Sequence, residues 1–186
     1  MRLRRLVALL PLALTACGYN TIQTYDEKAN AAKQQIEVQL QRRADLVPNL
    51  VEVVRGQAKQ ELEVFTQVAK ARSGLVDAVQ KGDPRGMAEA NEQLTTAMRG
   101  LMIQVEAYPQ IKSDQAFLRL QDELTGTENR IAVSRTDLNG AVETYNTYIR
   151  KFPQVMTAKV IGSKPKEYFE VSNAAAREAP KIYLTK

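Results

Sequence analysis

The segment TENRIAVSR (127–135) places charged groups where they could act together. Glu128 and Arg135 stand seven residues apart, two turns of a helix, with Ile131 between them on the same face. An inward carboxylate there could move a proton, or form half of an internal ion pair. Arg72, on an apolar stripe elsewhere in the chain, is the natural counter-charge. Arg72, Glu128 and Arg135 are therefore read as an internal polar network that fixes helix register, a use to which buried polar groups are sometimes put. A second polar group, Arg42, Arg43, Asp45 and Asn49, surrounds Pro48. Arginines suit the negative end of one helix and Asp45 the positive start of the next, so the group reads as helix-end chemistry or as a recognition surface.

The residue inventory removes most catalytic designs. The chain has no histidine, which excludes Ser–His and Cys–His nucleophiles, His-ligated zinc, and the Glu-x-x-His sites of bundle enzymes. Glu123 and Glu128 do not converge at helical spacing, so no carboxylate-only metal site is expected. KGDPRG (81–86) has two glycines but lacks the spacing of a phosphate-binding loop. No catalytic residue, metal or cofactor is assigned, and no small-molecule substrate is evident.

One cysteine remains, Cys17, in Leu14-Thr15-Ala16-Cys17. Arg2, Arg4 and Arg5 precede a short apolar run interrupted by Pro11, the layout of an export signal rather than of a spanning helix, which needs about 20 apolar residues. The Leu-small-small-Cys ending is similar to a bacterial lipobox. It implies removal of residues 1–16 and lipid, such as palmitate, on Cys17. Three of the 26 Lys and Arg side chains lie in residues 1–16, leaving 23 against 21 Asp and Glu, a net charge near +2. Such a balance does not point to nucleic acid as a partner.

The elements that position these groups are helical throughout, because apolar residues recur three and four apart. A first stripe runs from Ile22 to Leu40, and Pro48 suits the first turn of a second helix, so a tight turn is expected near 44–48. The second stripe runs from Val51 through Leu62, Arg72 and Val79. At KGDPRG, Gly82 ends that helix, Asp83 caps the next and Pro84 takes its first position. The third stripe ends at Tyr108-Pro109. The fourth starts at Ser113 as N-cap and carries Phe117, Leu120, Leu124, Thr127, Ile131, Ser134, Leu138, Ala141, Tyr145, Tyr148 and Phe152. Thr127, Ser134 and Ala141 are small enough for close helix approach, and Gly140 reads the same way.

The expected fold is an all-α, up-and-down antiparallel bundle of four long helices with a short C-terminal tail. Its divisions are 1–16 (signal), 17–20 (lipid attachment and tether), 20–152 (bundle) and 153–186 (tail packed on the bundle). In that topology the turns near 44–48 and 108–113 share the membrane-distal tip, bringing Arg42, Arg43, Asp45 and Asn49 beside Tyr108 and Lys112 as a candidate partner surface. One conflict stands in this layout. A first helix of about 24 residues spans roughly 36 Å, whereas a fourth of about 40 spans roughly 60 Å.

IEVQLQRRADLVPNLVEVV (36–54), YPQIKSDQAFLRLQDELTGTENRIAVSR (108–135), AVETYN (141–146) and FPQVMTAKVIGSKPKEYFE (152–170) together resemble the LemA family. The resemblance spans nearly the whole chain after Cys17. It implies a membrane-anchored, extracytoplasmic bundle of long helices. The chain departs from the family at Lys33, Leu138 and Ser163, where family members often carry aromatics. The resulting expectation is a lipid-anchored envelope scaffold or interaction module, without catalysis, on the periplasmic face of the outer membrane if the cell is Gram-negative, since Gly18 rather than aspartate follows Cys17. The expected partners are the membrane, through the N-terminal lipid, and another envelope protein. An accessory or regulatory subunit of an envelope enzyme or protease is one alternative, and a carboxylate-dependent hydrolase another.

Overall fold

The apolar spacing of the first helix does not stop at Arg43. In the computed structural model, which describes the backbone of residues 2–57 and 63–171 and side chains from Gly18 onward, α1 runs unbroken over Arg2–Gln57. Its buried residues Ile22, Ala29, Ile36, Leu40, Ala44, Val47, Leu50 and Val54 form one stripe that passes straight through Pro48. The turn expected near 44–48 is absent. Val51 and Val54, expected on the second helix, belong to the first.

The remaining elements are α2 (Glu63–Lys81), α3 (Pro84–Val105), α4 (Pro109–Lys112), α5 (Gln115–Tyr148) and α6 (Gln154–Val160), with no strand among the described residues. Local chemistry sets their ends. Gly82, at φ +66°, closes α2 in a conformation open to glycine. Asp83 accepts from the Arg85 and Gly86 amides at 3.3 and 2.9 Å, and Pro84 opens α3 as the spacing predicts. The cap of α5 is Asp114 rather than Ser113; it accepts from the Ala116 and Phe117 amides at 2.7 and 3.0 Å. Ser113 instead donates back to the Gln110 carbonyl and ends α4. A carboxylate outcompetes a hydroxyl there because it meets two free amides at the positive helix end.

Cross-helix pairs give the directions. Tyr25 stacks edge-on against Tyr148 with ring centroids 5.1 Å apart, Gln39 meets Arg130, and Gln57 donates to Asp114 at 2.8 Å, so α1 and α5 are antiparallel along their length. Arg72 reaches Ala44 while Gly82 lies beside Lys33, which sets α2 antiparallel to α1. Gly100 abuts Val64, bringing α3 back along α2. The α5 seam holds Leu124, Thr127, Ile131, Ser134 and Leu138 in the core as expected. It then steps to Val142 and Tyr145, leaving Ala141 half-buried and Phe152 exposed beyond the helix end. Gly140 lies inside the helix but on its exposed face, so the expected close packing at that glycine is not there.

The conflict of lengths disappears with the turn at 44–48. From Cys17 to Gln57 α1 spans about 60 Å, while the 34 residues of α5 span about 51 Å. Beyond α6, Ile161 and Gly162 make a turn, and residues 163–171 form a strap lying back along α5. Residues 172–186, the rest of the expected tail, lie outside the described residues.

Candidate functional site

A polar layer crosses the middle of the bundle. Arg43 on α1 is 2% exposed; its Nη1 donates to Asn91 Oδ1 on α3 at 2.6 Å and its Nη2 to Glu128 Oε1 on α5 at 2.5 Å. One side chain thus joins three helices. One turn away, Arg130 Nε donates to the Gln39 Oε1 on α1 at 3.1 Å. Thr127, fully buried, satisfies its hydroxyl locally by donating to the Glu123 carbonyl at 2.7 Å. Burial lowers the Arg43 pKa, while Glu128 and then Glu92 oppose that shift by their negative charge. The Arg43 Nε is buried without a hydrogen-bond partner.

The counter-charge to Glu128 is therefore Arg43, not Arg72. Arg72 is used differently: its Nε donates to the Ala44 carbonyl at 2.8 Å. In a helix that carbonyl would accept from the amide of residue 48, but Pro48 has none. Arg72 supplies the missing donor from α2, at the point where α1 continues through a proline that looked like a helix start. The signal was present in the sequence as a proline within an unbroken apolar stripe. Arg135, the third residue of the expected network, is exposed beside Glu92 and Asn139 rather than inside the bundle.

The expected partner surface does not assemble in one place. Arg42, Asp45 and Asn49 lie exposed on the outer face of α1, around a shallow groove with Val38, Gln41 and Leu46. Arg43 faces the opposite way, into the core. Tyr108 is half-buried against the core and Lys112 is exposed, both at the turn packed near the end of α1. Along α1, Asn49 precedes Gln57 by eight residues, about 12 Å, and Arg42 by fifteen, about 22 Å. Continuous helix is the reason: without a turn at 44–48, those residues ride the shaft, not the tip.

Asn139 and Asn146 on α5 carry a further device that the periodicity did not single out. Asn146 donates to the Lys166 carbonyl at 2.9 Å and accepts from the Lys166 amide at 2.8 Å. Two turns earlier, Asn139 does the same with Phe169, at 3.2 and 2.8 Å. Each carboxamide mimics a strand neighbour, so the strap is held without a sheet. Lys166 then reaches Asp26 at 3.0 Å and Asn30 at 2.8 Å on α1, with its ammonium 5.4 Å from the Tyr145 ring centre.

Among the described residues no group of three or more potential metal ligands occurs, and no helix is long and apolar enough to cross a membrane. Glu128 borders a cleft of about 240 Å³ with Thr95, Arg99 and Gln121, and one of its oxygens is already held by Arg43. The arrangement is an ion pair at the edge of a core built from long helices. The LemA family profile matches residues 32–183, and this chain belongs to the LemA family. Magnetosome proteins MamQ 2 and MamQ 1 of Paramagnetospirillum magneticum (strain AMB-1) are each 32% identical over 183 residues, covering 86% of this chain and 67% of theirs. Magnetosome protein MamQ of Magnetospirillum gryphiswaldense is 31% identical over 175 residues, covering 81% and 64% respectively. The chain thus spans about two thirds of the length of these curated relatives.

Proposed function

We propose that this chain is a lipid-anchored helical scaffold of a bacterial cell envelope, held through Cys17 and facing the periplasm, with its bundle offered to a partner protein. The lipobox-like ending Leu14-Thr15-Ala16-Cys17 carries the reading, and the packed core begins directly after it. Gly18, the residue after the lipobox cysteine, is already buried, and a Cβ there would lie 3.6 Å from Gln154 and Thr157 of α6. Ile22, one turn on, is fully enclosed with Tyr145, Ile149 and Ala158. Removal of residues 1–16 would leave Cys17 as the first residue of α1 with folded structure directly behind it, so lipid and bundle would be joined with almost no tether. The Cys17 side chain and residues 1–16 lie outside the described side chains, and the anchor rests on the lipobox pattern. Gly18 rather than aspartate favours the outer membrane of a Gram-negative cell. The groove around Arg42, Asp45 and Asn49 is the surface we assign to a protein partner, being exposed and pairing those polar groups with Val38 and Leu46.

Intact-mass analysis of the membrane-extracted protein tests the anchor. The expected species begins at Cys17 and carries acyl chains, and Cys17→Ser should leave the detergent phase. An unacylated mature N-terminus, or a Cys17→Ser variant still processed and still partitioning into detergent, would overturn the proposal. For the partner surface, a photo-crosslinker at Asn49 should capture one envelope protein, and Arg42→Glu should abolish that capture without lowering the melting temperature. Capture unaffected by Arg42→Glu would remove the groove from consideration.

A further inference from the structure

Large exposed apolar side chains are scattered singly over most of this protein, as is normal for a protein surface. Val38, Ile103, Leu118 and Val133 stand on different elements or far apart. One place differs. Phe152, Met156 and Val160 follow at intervals of four through α6 and the turn before it, and they are 83%, 57% and 84% exposed. The opposite side of α6, Thr157 and Ala158, is buried against the start of α1 and the end of α5.

The charge in the sequence on either side of this stripe is of one sign. Between Glu143 and Glu167 there is no acidic residue, while Arg150, Lys151, Lys159, Lys164 and Lys166 fall in that interval. Lys166 is engaged by Asp26, and the other four are exposed. On α1 no charged residue occurs from Cys17 to Tyr25. A chain close to neutral beyond residue 16 has therefore gathered a basic, apolar surface at one end. That end is the one bearing Cys17. The C-terminus of α5 lies beside Ile22, five residues or about 7.5 Å along α1 from the cysteine, and α6 packs on Gly18 itself.

We propose that this basal surface is a bilayer-contacting platform. Phe152, Met156 and Val160 enter the boundary between headgroups and acyl chains, and Arg150, Lys151, Lys159 and Lys164 contact anionic lipid headgroups. Apolar residues beneath a basic rim are the pattern of interfacial membrane segments, and juxtamembrane cations are drawn to anionic lipid within a Debye length. The proposal rests on the lipid-anchor reading for its orientation. The platform would set the bundle at a fixed angle to the membrane.

The chain contains no tryptophan, so a single introduced one reports its own surroundings. Phe152→Trp and Val133→Trp would be made separately in the acylated protein and reconstituted into phosphatidylglycerol-containing vesicles with brominated acyl chains. The expected result is blue-shifted, strongly quenched emission from Phe152→Trp and unquenched emission from Val133→Trp on the bundle shaft. Lys151→Glu with Lys159→Glu should reduce quenching at position 152 severalfold in phosphatidylglycerol vesicles and leave it unchanged in zwitterionic ones. Protein that floats with the vesicles while position 152 stays unquenched would overturn the platform and leave the lipid anchor standing. Protein that does not float at all would overturn the anchor and the platform with it. A blue shift at position 152 appearing only with envelope extract, without quenching, would assign the surface to a protein partner instead. Equal quenching with and without the two glutamates in phosphatidylglycerol would overturn the headgroup contact.

Discussion

Arg72 Nε donates to the Ala44 carbonyl at 2.8 Å, across from α2 to a buried acceptor in the middle of α1. The bond exists because Pro48, four residues on, has no amide to offer. Arg72→Leu should strand that carbonyl and cost about 1–3 kcal/mol, the usual penalty for an unpaired buried polar group. Pro48→Ala restores a backbone donor, so the double variant should recover most of the loss in denaturant unfolding. Strictly additive effects of the two substitutions would show that Arg72 does not serve the carbonyl.

The Arg43–Glu128 pair makes a different kind of prediction. Glu128→Ala leaves a buried guanidinium hydrogen-bonded to Asn91, with Glu92 as its remaining nearby negative charge, while the Glu128 side chain itself is half exposed. The cost should therefore fall below the 3–5 kcal/mol typical of breaking a fully buried pair, at about 1–3 kcal/mol. Replacing both partners, Arg43→Met with Glu128→Leu, should be milder than Glu128→Ala by itself, because no charge is left unpaired. Thermal unfolding of the three proteins gives the order, and a neutral Glu128→Ala would remove the pair from any structural role.

Strap and bundle should separate experimentally. Asn139→Leu with Asn146→Leu deletes four hydrogen bonds to residues 166 and 169. Amide exchange at Lys166 and Phe169 should accelerate by at least tenfold, equivalent to about 1.4 kcal/mol or more, and proteolysis within 161–171 should rise. Helicity by circular dichroism should stay nearly constant. Protection unchanged at both amides would mean that the buried Phe169 alone holds the strap.

Asp114 gives a pH signature. Its carboxyl lies below the ordinary 3.8, first because the Phe117 and Ala116 amides donate to it, with help from Gln57 and Arg119. A carboxylate with a depressed folded pKa stabilises above its unfolded pKa and loses that contribution as pH falls through the folded value. Wild type should therefore melt above Asp114→Ala at pH 7, with the gap closing only below pH 3.8. A gap independent of pH across that range would point to packing and not to the cap.

Much of this protein was determined by local sequence. The 3–4 spacing established helices throughout, and Gly82, Asp83 and Pro84 marked one turn to the residue, because a positive φ, a side-chain acceptor and a missing donor are each local requirements. Thr127 and Ser134 were legible as core because small residues held seam positions on α5. The family resemblance was carried by contiguous stretches and needed no geometry. Tertiary structure alone decided the rest. Pro48 is a local instruction to break, and in the folded chain Arg72, 24 residues later, meets the carbonyl that it leaves without a donor while the apolar stripe packs on both sides of it. With α1 continuous, no turn falls at 44–48, Arg43 faces inward to Glu128, and Arg42 and Asn49 lie apart from Tyr108 and Lys112. The clamps of Asn139 and Asn146 were equally invisible, since two asparagines seven apart on a helix acquire meaning only when a backbone with unmet hydrogen bonds is laid against them. Periodicity measures which face is apolar; it does not measure which polar group across the interface will satisfy a carbonyl, a guanidinium or a strap.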